Sequence, residues 1–272
     1  MGVSKSSVIL LPGAGGRPPD LSIFTQEHED TTHFQVVGYP GWRTYVANDF
    51  SAKVLVEHLV KDIISRVPCG PIRIVGLSIG GHFGYSAALR LRALRRDVAG
   101  FCAIDSFMPA SAAASVGWKG RALAEGLELL FRHPFRSLGR FFRSRFWRAL
   151  IRLADSQLIQ LLRPLASSKR LSSFLFFDPI FEQELNMRLL IRESISFIRS
   201  LDCDPVASLE APAVLLRTDL TSGDDAAWRR RCSNLKIFTI PGQHHNLFEP
   251  ENAAAISQAF ISATRDWREE IV

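Results

Sequence analysis

The chain has 272 residues, of which 47% are hydrophobic and 22% are charged. This globular composition excludes a disordered chain, which would have fewer aliphatic residues, and a collagen-like chain, since the 18 glycines follow no three-residue period. The net charge of +6 is concentrated, because residues 110–200 hold 15 basic and 7 acidic side chains. The four cysteines are widely spaced and form no C-x-x-C pair, which predicts reduced thiols in a cytoplasmic protein.

Short apolar runs alternate with helical patterns along the chain. Strands are predicted at residues 8–11, 34–38, 72–75, 98–104, 213–216 and 236–240. Helices are predicted at residues 51–67, 82–95 and 252–268. Repeated β–α units predict a mostly parallel central sheet with helices on both faces, which is an α/β fold. No apolar run approaches the ~20 residues that cross a bilayer, so we expect no transmembrane segment.

The basic segment, residues 110–200, contains an amphipathic pattern at residues 131–153. Apolar and aromatic side chains recur there at steps of three and four, with arginines between them. Three interpretations stay open: a solvated helix face over a core, a docking face for an acidic partner protein, and contact with a membrane surface or nucleic acid. Nothing in the segment resembles a base-reading module, so we expect no nucleic-acid partner.

The hexapeptide Gly-Leu-Ser-Ile-Gly-Gly at residues 76–81 predicts a catalytic nucleophile. It lies between a predicted strand and a predicted helix, which is the setting of a nucleophile elbow. Glycines at both ends of the turn remove side chains that would clash there, so that Ser78 projects from a strained turn. The N–H of Ile79, at the start of the helix, is then available to a developing oxyanion.

A second glycine-rich loop, Pro-Gly-Ala-Gly-Gly at residues 12–16, follows the first predicted strand. It has neither the Walker spacing nor the G-x-G-x-x-G pattern, so a phosphate site is not predicted. In a fold with a nucleophile elbow this loop supplies the second oxyanion N–H, for which we choose Ala14.

A serine hydroxyl needs a base to take its proton, and histidine has a suitable pKa. Of the seven histidines, only His244 and His245 follow a late strand, where the base stands in the order Ser, acid, His. Adjacent side chains diverge, so this pair does not predict a metal site, and we expect neither a metal nor a cofactor. The acid stays open on this reasoning, because Asp105 ends one strand and other aspartates follow the strand at residues 213–216. Those other aspartates are Asp219, Asp224 and Asp225.

Together these motifs resemble the α/β-hydrolase superfamily, and within it the thioesterase domains that end nonribosomal peptide and polyketide synthases. The most specific stretch is Val-Gly-Leu-Ser-Ile-Gly-Gly at residues 75–81, followed by a helix and by Ile-Asp-Ser at residues 104–106. In that family the acid follows the strand after the elbow helix, so the resemblance selects Asp105. The pattern G-x-H selects His244, and the implied triad is completed by Ser78.

One departure from the family lies in the oxyanion loop. Many members have His-Pro before the small residues, whereas this chain has Pro12 and Gly13. The N–H groups of Ala14 and Ile79 stay the expected donors of the oxyanion hole, and the departure concerns the two residues that precede Ala14.

The resemblance also implies a single α/β-hydrolase domain over residues 1–272, with a helical lid inserted at residues 110–205. The implied activity is release of an acyl or peptidyl chain from the phosphopantetheine of a carrier protein, through a serine acyl-enzyme, by hydrolysis or macrocyclisation. From the arginine face of this segment, rather than from the resemblance, we expect an acidic carrier protein to dock on the basic lid. Three alternatives stay open: a freestanding type II editing thioesterase, which would use one of the later aspartates, a general carboxylesterase or lipase, and a non-catalytic binding module.

Overall fold

The computed structural model describes residues 6–14, 16, 32–47, 51–107, 145–147, 149, 151, 157, 160, 162–164, 179–202, 208–219, 225–244 and 246–268. The strands are β1 (Ser6–Leu11), β2 (Thr32–Val36), β3 (Ile72–Leu77), β4 (Val98–Ile104), β5 (Ala213–Arg217) and β6 (Leu235–Thr239). The named helices are α1 (Trp42–Ala47), α2 (Ala52–Arg66), α3 (Ile79–Ala93), α4 (Pro179–Asp202), α5 (Asp225–Arg231) and α6 (Pro250–Ala263). A 3₁₀ turn, Arg265–Arg268, follows α6.

The six strands form one sheet with the order β2-β1-β3-β4-β5-β6. Every neighbouring pair is parallel. The central strands β3 and β4 are almost wholly buried, whereas the edge strand β6 is partly exposed. Because all strands run the same way, their carboxyl ends meet at one edge, where α/β proteins bind ligands.

Helices cover both faces of this sheet. On one face, α6 packs against a core that includes Leu10 of β1 and Val75 of β3. On the other face α3 lies close to the strands, since a Cβ on its Gly84 would be 3.1 Å from Ile74 and 3.5 Å from Leu11. Successive strand side chains point to opposite faces, so neighbouring residues of β1 serve two different cores. The predicted parallel α/β architecture is confirmed.

The chain divides into two compact units. The first comprises Met1–Tyr39, Ala52–Ala112 and Ser194–Val272 and contains the sheet, and the second comprises Pro40–Ser51 and Ala113–Glu193.

Within the second unit, the backbone N–H of Trp42 donates to Asn186 Oδ1 at 2.6 Å, and the rings of Trp147 and Phe181 lie 4.5 Å apart. Most of the amphipathic pattern at residues 131–153 lies outside the described residues. The lid therefore stays a prediction.

Three cysteines, Cys69, Cys102 and Cys232, are free thiols, and Cys203 lies outside the described residues. Burial raises the pKa of Cys102, and it raises the pKa of Cys232 to about 12, so both buried thiols stay protonated at neutral pH. Among the described helices, none combines the length and the apolar character needed to cross a membrane.

Candidate active site

Ser78 occupies the turn between β3 and α3. Its φ of 55° and ψ of −122° place a non-glycine residue in a sparsely populated region, which is the strain expected of a nucleophile elbow. The N–H of Ser78 donates to the carbonyl of Ile104 at 2.8 Å, and the N–H of Gly81 donates to the carbonyl of Ser78 at 3.0 Å. The turn is therefore held by the neighbouring strand and by the first turn of the helix.

The glycines of the elbow are required by close backbone contacts. A Cβ on Gly76 would lie 2.3 Å from the carbonyl oxygen of Gly80, and a Cβ on Gly80 would lie 2.6 Å from the carbonyl oxygens of Leu11 and Pro12. These distances are well inside van der Waals contact, and the atoms that would be met belong to the backbone, which cannot rotate away. The elbow therefore closes only because both positions lack a side chain.

The loop after β1 runs beside Ser78. A Cβ on Gly13 would lie 3.5 Å from the Cβ of Ser78, and the carbonyl of Pro12 accepts a hydrogen bond from Tyr39 Oη at 2.6 Å. Ala14 is the next residue of this loop, and Ile79 is the first residue of α3, where backbone N–H groups have no partner within the helix. Ala14 thus follows a residue that lies beside Ser78 in space, and Ile79 follows Ser78 directly in the sequence.

Asp105 lies directly after β4 and is fully buried. Its carboxylate Oδ1 accepts hydrogen bonds from the backbone N–H of Thr218 at 3.2 Å and from Thr218 Oγ1 at 3.1 Å. Burial alone would raise the pKa of this carboxyl, but the hydrogen bonds from His244 and Thr218 and the charge of the imidazole outweigh burial. The pKa of Asp105 therefore lies below its usual range, so the group is an anion at neutral pH.

His244 follows β6, and its Nδ1–H donates to Asp105 Oδ2 at 2.6 Å. This bond fixes the tautomer, because a proton on Nδ1 leaves Nε2 as the nitrogen with the free lone pair. The side chain of His244 is 42% exposed, whereas its carboxylate partner is fully buried. The ring of Phe107 packs edge-on against the imidazole, with 4.9 Å between the centroids.

The turn that carries His244 is held by two asparagines. Gly242 has a φ of 92°, and a Cβ on it would lie 2.8 Å from Asn252 Nδ2. Asn246 Oδ1 accepts from the backbone N–H of Gln243 at 2.7 Å, and Asn252 Nδ2 donates to the carbonyl of Asn246 at 3.0 Å. The predicted G-x-H pattern therefore coincides with a turn in which glycine is needed.

The other candidate acids are placed differently. The carboxylate of Asp225 pairs with Arg217, with a shortest distance of 2.7 Å. Asp219 is exposed, and Asp224 and His245 lie outside the described residues. Among the aspartates that the structure describes, Asp105 is the one hydrogen-bonded to His244.

Thr218 was missed by the sequence reasoning. It lies two residues after the predicted strand at residues 213–216, at the same sheet edge as Asp105. A polar residue at the carboxyl end of a parallel strand could therefore have been named as a candidate site residue. Phe107 was missed as well, and no local pattern pointed to it.

Among the described residues, no group of three or more His, Cys, Asp or Glu side chains could hold a metal ion.

Comparison with known proteins assigns the chain to one family. A family model described as a thioesterase domain matches residues 6–264. No curated protein matches the chain in sequence.

Three solved structures share the fold. The NocB thioesterase domain in covalent complex with a fluorophosphonate nocardicin G analog is 16% identical, with a TM-score of 0.59 over 96% of this chain and 95% of that chain. The wild-type Vlm2 thioesterase domain is 15% identical, with a TM-score of 0.58 over 94% of this chain and 91% of that chain. The four-domain nonribosomal peptide synthetase AB3403, bound to AMP and glycine, is 14% identical with a TM-score of 0.61, and the match covers 96% of this chain and 19% of that chain.

Proposed function

The chain belongs to the thioesterase domain family, and on that premise we propose that it releases an acyl or peptidyl chain from the phosphopantetheine thioester of a carrier protein. Ser78 is the nucleophile, His244 is the general base and Asp105 orients and stabilises the imidazolium. The observation that carries this proposal is the 2.6 Å hydrogen bond between His244 Nδ1 and Asp105 Oδ2. It lies at the end of β4, the strand whose last carbonyl also accepts the N–H of Ser78.

In the first half of the reaction, Ser78 Oγ attacks the thioester carbonyl while His244 Nε2 takes its proton. The carbonyl oxygen becomes an oxyanion, which accepts hydrogen bonds from the N–H groups of Ala14 and Ile79. Each such donor typically contributes ~10²–10³ in rate. When the intermediate collapses, the carbon–sulfur bond breaks, His244 gives its proton to the pantetheine sulfur, and an ester on Ser78 remains.

In the second half, a new nucleophile attacks the ester and His244 takes its proton. Water gives a free acid, whereas an amine or hydroxyl of the bound chain gives a ring. The tetrahedral intermediate then collapses, and the proton returns to Ser78 Oγ. The Vlm2 thioesterase domain binds a dodecadepsipeptide and the NocB domain binds a nocardicin G analog, which supports a peptidyl chain as the substrate class.

The carrier protein docks on the basic segment, residues 110–200. This segment has eight more basic than acidic side chains, whereas the rest of the chain is slightly acidic. An acidic carrier would gain from this charge, and salt would screen the attraction. High salt should therefore raise KM for a carrier-bound substrate and spare a small thioester, and an equal effect on both would argue against docking.

The proposal is tested by following release of the acyl chain, as a free acid or a ring, from a carrier-bound acyl thioester and from a simple ester of the same acyl chain. We expect faster turnover of the carrier-bound thioester and loss of both activities in Ser78→Ala. A chain that hydrolyses the simple ester equally well and gains nothing from the carrier would instead be a general esterase. Activity retained in Ser78→Ala would overturn the mechanism.

A further inference from the structure

The backbone after Asp105 is held by buried side chains. Asp105 has a φ of 45°, so the chain leaves β4 through a left-handed kink. The carbonyl of Ser106 accepts a hydrogen bond from Trp228 Nε1 at 2.8 Å, and the carbonyl of Phe107 bonds to His82 Nε2 at 3.1 Å. Two consecutive carbonyls of the segment that carries the acid thus depend on side chains from α3 and α5.

The protonation of His82 follows from its partners. Arg231 Nη1 lies 2.9 Å from His82 Nδ1, and a guanidinium can only donate. Nδ1 must therefore accept, so the proton of the neutral ring is on Nε2, which donates to the carbonyl of Phe107. Burial first, and then the charge of Arg231, lower the pKa of His82 to about 3, so the ring keeps this form at neutral pH.

Arg231 is itself fixed in place. It is 3% exposed, and its Nη2 donates to the carbonyl of Ile198 at 3.1 Å. Its guanidinium lies over the rings of Tyr85 and Trp228, at 5.7 and 5.3 Å from their centroids. The ring of Trp228 also stacks on His82, at 5.3 Å and an interplanar angle of 19°. The first contacts hold the guanidinium that faces Nδ1 of His82, and the stacking holds the plane of the His82 ring.

We propose that His82 and Arg231 are positioning residues for the acid and the base. Arg231 sets the tautomer of His82, His82 holds the carbonyl of Phe107, and the ring of Phe107 packs against His244. The inference rests on the proposed function, because it takes Asp105 and His244 as the acting pair. A displacement of the order of 1 Å at such a pair can reduce the rate about 100-fold.

Two substitutions of His82 separate its two hydrogen bonds. The amide of His82→Gln reaches the position of Nε2 and can donate to the carbonyl of Phe107. The amide of His82→Asn reaches the position of Nδ1 and can accept from Arg231, but it leaves that carbonyl without its donor. We expect His82→Asn to lose roughly 10- to 100-fold in kcat with little change in KM, and His82→Gln to recover most of this loss.

The measurement uses an acyl N-acetylcysteamine thioester as substrate and a proton NMR spectrum without substrate. The downfield resonance of the His244 Nδ1 proton should shift or broaden in His82→Asn and return in His82→Gln. Arg73→Met is the matched control, since Arg73 is also a buried arginine that donates to a backbone carbonyl, that of Trp267. It should lower Tm without altering kcat or the resonance.

The outcomes separate this inference from the proposed function. Wild-type kcat and an unchanged resonance in His82→Asn would overturn the inference, even if Ser78→Ala is inactive. Activity retained in Ser78→Ala would instead overturn the proposed function. Should His82→Asn fail to fold, Phe107→Leu carries the test, because it keeps the backbone carbonyl and removes the ring beside His244. Wild-type kcat and an unshifted resonance in Phe107→Leu would then refute the inference.

Discussion

The elbow and the acid–base pair are built in different ways. The elbow is local in sequence, and backbone contacts define it: a Cβ on Gly76 would meet the carbonyl of Gly80 at 2.3 Å. The acid–base pair joins Asp105 and His244, which are 139 positions apart in the chain, through one hydrogen bond between side chains. Thr218, the residue directly after β5, joins the same cluster.

Because of this difference, substitutions in the two regions should affect different properties, the stability of the fold at the elbow and the reaction rate at the acid–base pair. At the elbow a single added methyl group must displace backbone, so substitutions there act on the stability of the whole fold. At the acid–base pair the strands set the positions, and the side chains can change without disturbing the sheet. Substitutions there should act on the rate and spare most of the stability.

The largest effect on stability is expected from Gly76→Ala. The added Cβ would meet the backbone of Gly80 and Gly81, so we expect the free energy of unfolding to fall by about 3 kcal/mol, the upper end of overpacking costs. Chemical denaturation measures this change. Gly38→Ala is the matched control, since a Cβ there meets nothing within 4 Å, and it should stay within about 0.5 kcal/mol of wild type. Equal stability of the two variants would show that the elbow tolerates a side chain.

The next effect is on catalysis alone. In Asp105→Asn the amide N–H would face His244 Nδ1, which favours the wrong imidazole tautomer, and kcat should fall by about 10⁴ while Tm changes little. Asp225→Asn is the control, because it opens an ion pair with Arg217 and should leave kcat unchanged. The reverse result, with loss of activity in Asp225→Asn only, would favour an editing thioesterase that uses the later acid.

The smallest effect concerns the pH dependence of stability. The pKa of His82 is lowered from 6.5 to about 3 in the folded chain, so below about pH 6.5 the unfolded chain binds a proton that the folded chain does not. The free energy of unfolding should therefore fall as pH falls from 6.5, by up to ~1.4 kcal/mol per pH unit.

The glutamine of His82→Gln cannot titrate, so the variant should lose this slope. Urea unfolding between pH 7 and pH 5 measures it, more than one pH unit above the pKa of about 3.9 at which the Asp105 carboxyl of the unfolded chain titrates. The same slope in both proteins would show that His82 titrates alike in the folded and unfolded chain.

Features encoded locally were predictable from the sequence. The strand at residues 98–104 was predicted with its observed bounds, and the elbow was placed at Ser78. The sequence pattern predicted the helix after the elbow from residue 82, whereas the elbow motif placed its start at Ile79, where it begins. Gly80 and Gly81 have low helix propensity, and here the close packing against Leu11 and Ser106 overrides that preference.

Features that join distant segments were not predictable in the same way. The residue chemistry left the acid open among four aspartates, and the family resemblance was needed to select Asp105. His82 was placed on the right helix, but its partner Arg231 is 149 positions away, and no local pattern links the two. The short helix α1 was missed, because its six residues are too few to show a helical period.

The central claim is that Ser78 is the nucleophile, and covalent labelling tests it most directly. A fluorophosphonate probe should add one probe mass, less HF, to the intact chain, and peptide mapping should place the label on Ser78. We expect Ser78→Ala to remain unlabelled under conditions in which Gly38→Ala reacts like wild type. Labelling that persists in Ser78→Ala, or that maps to another residue, would contradict the account.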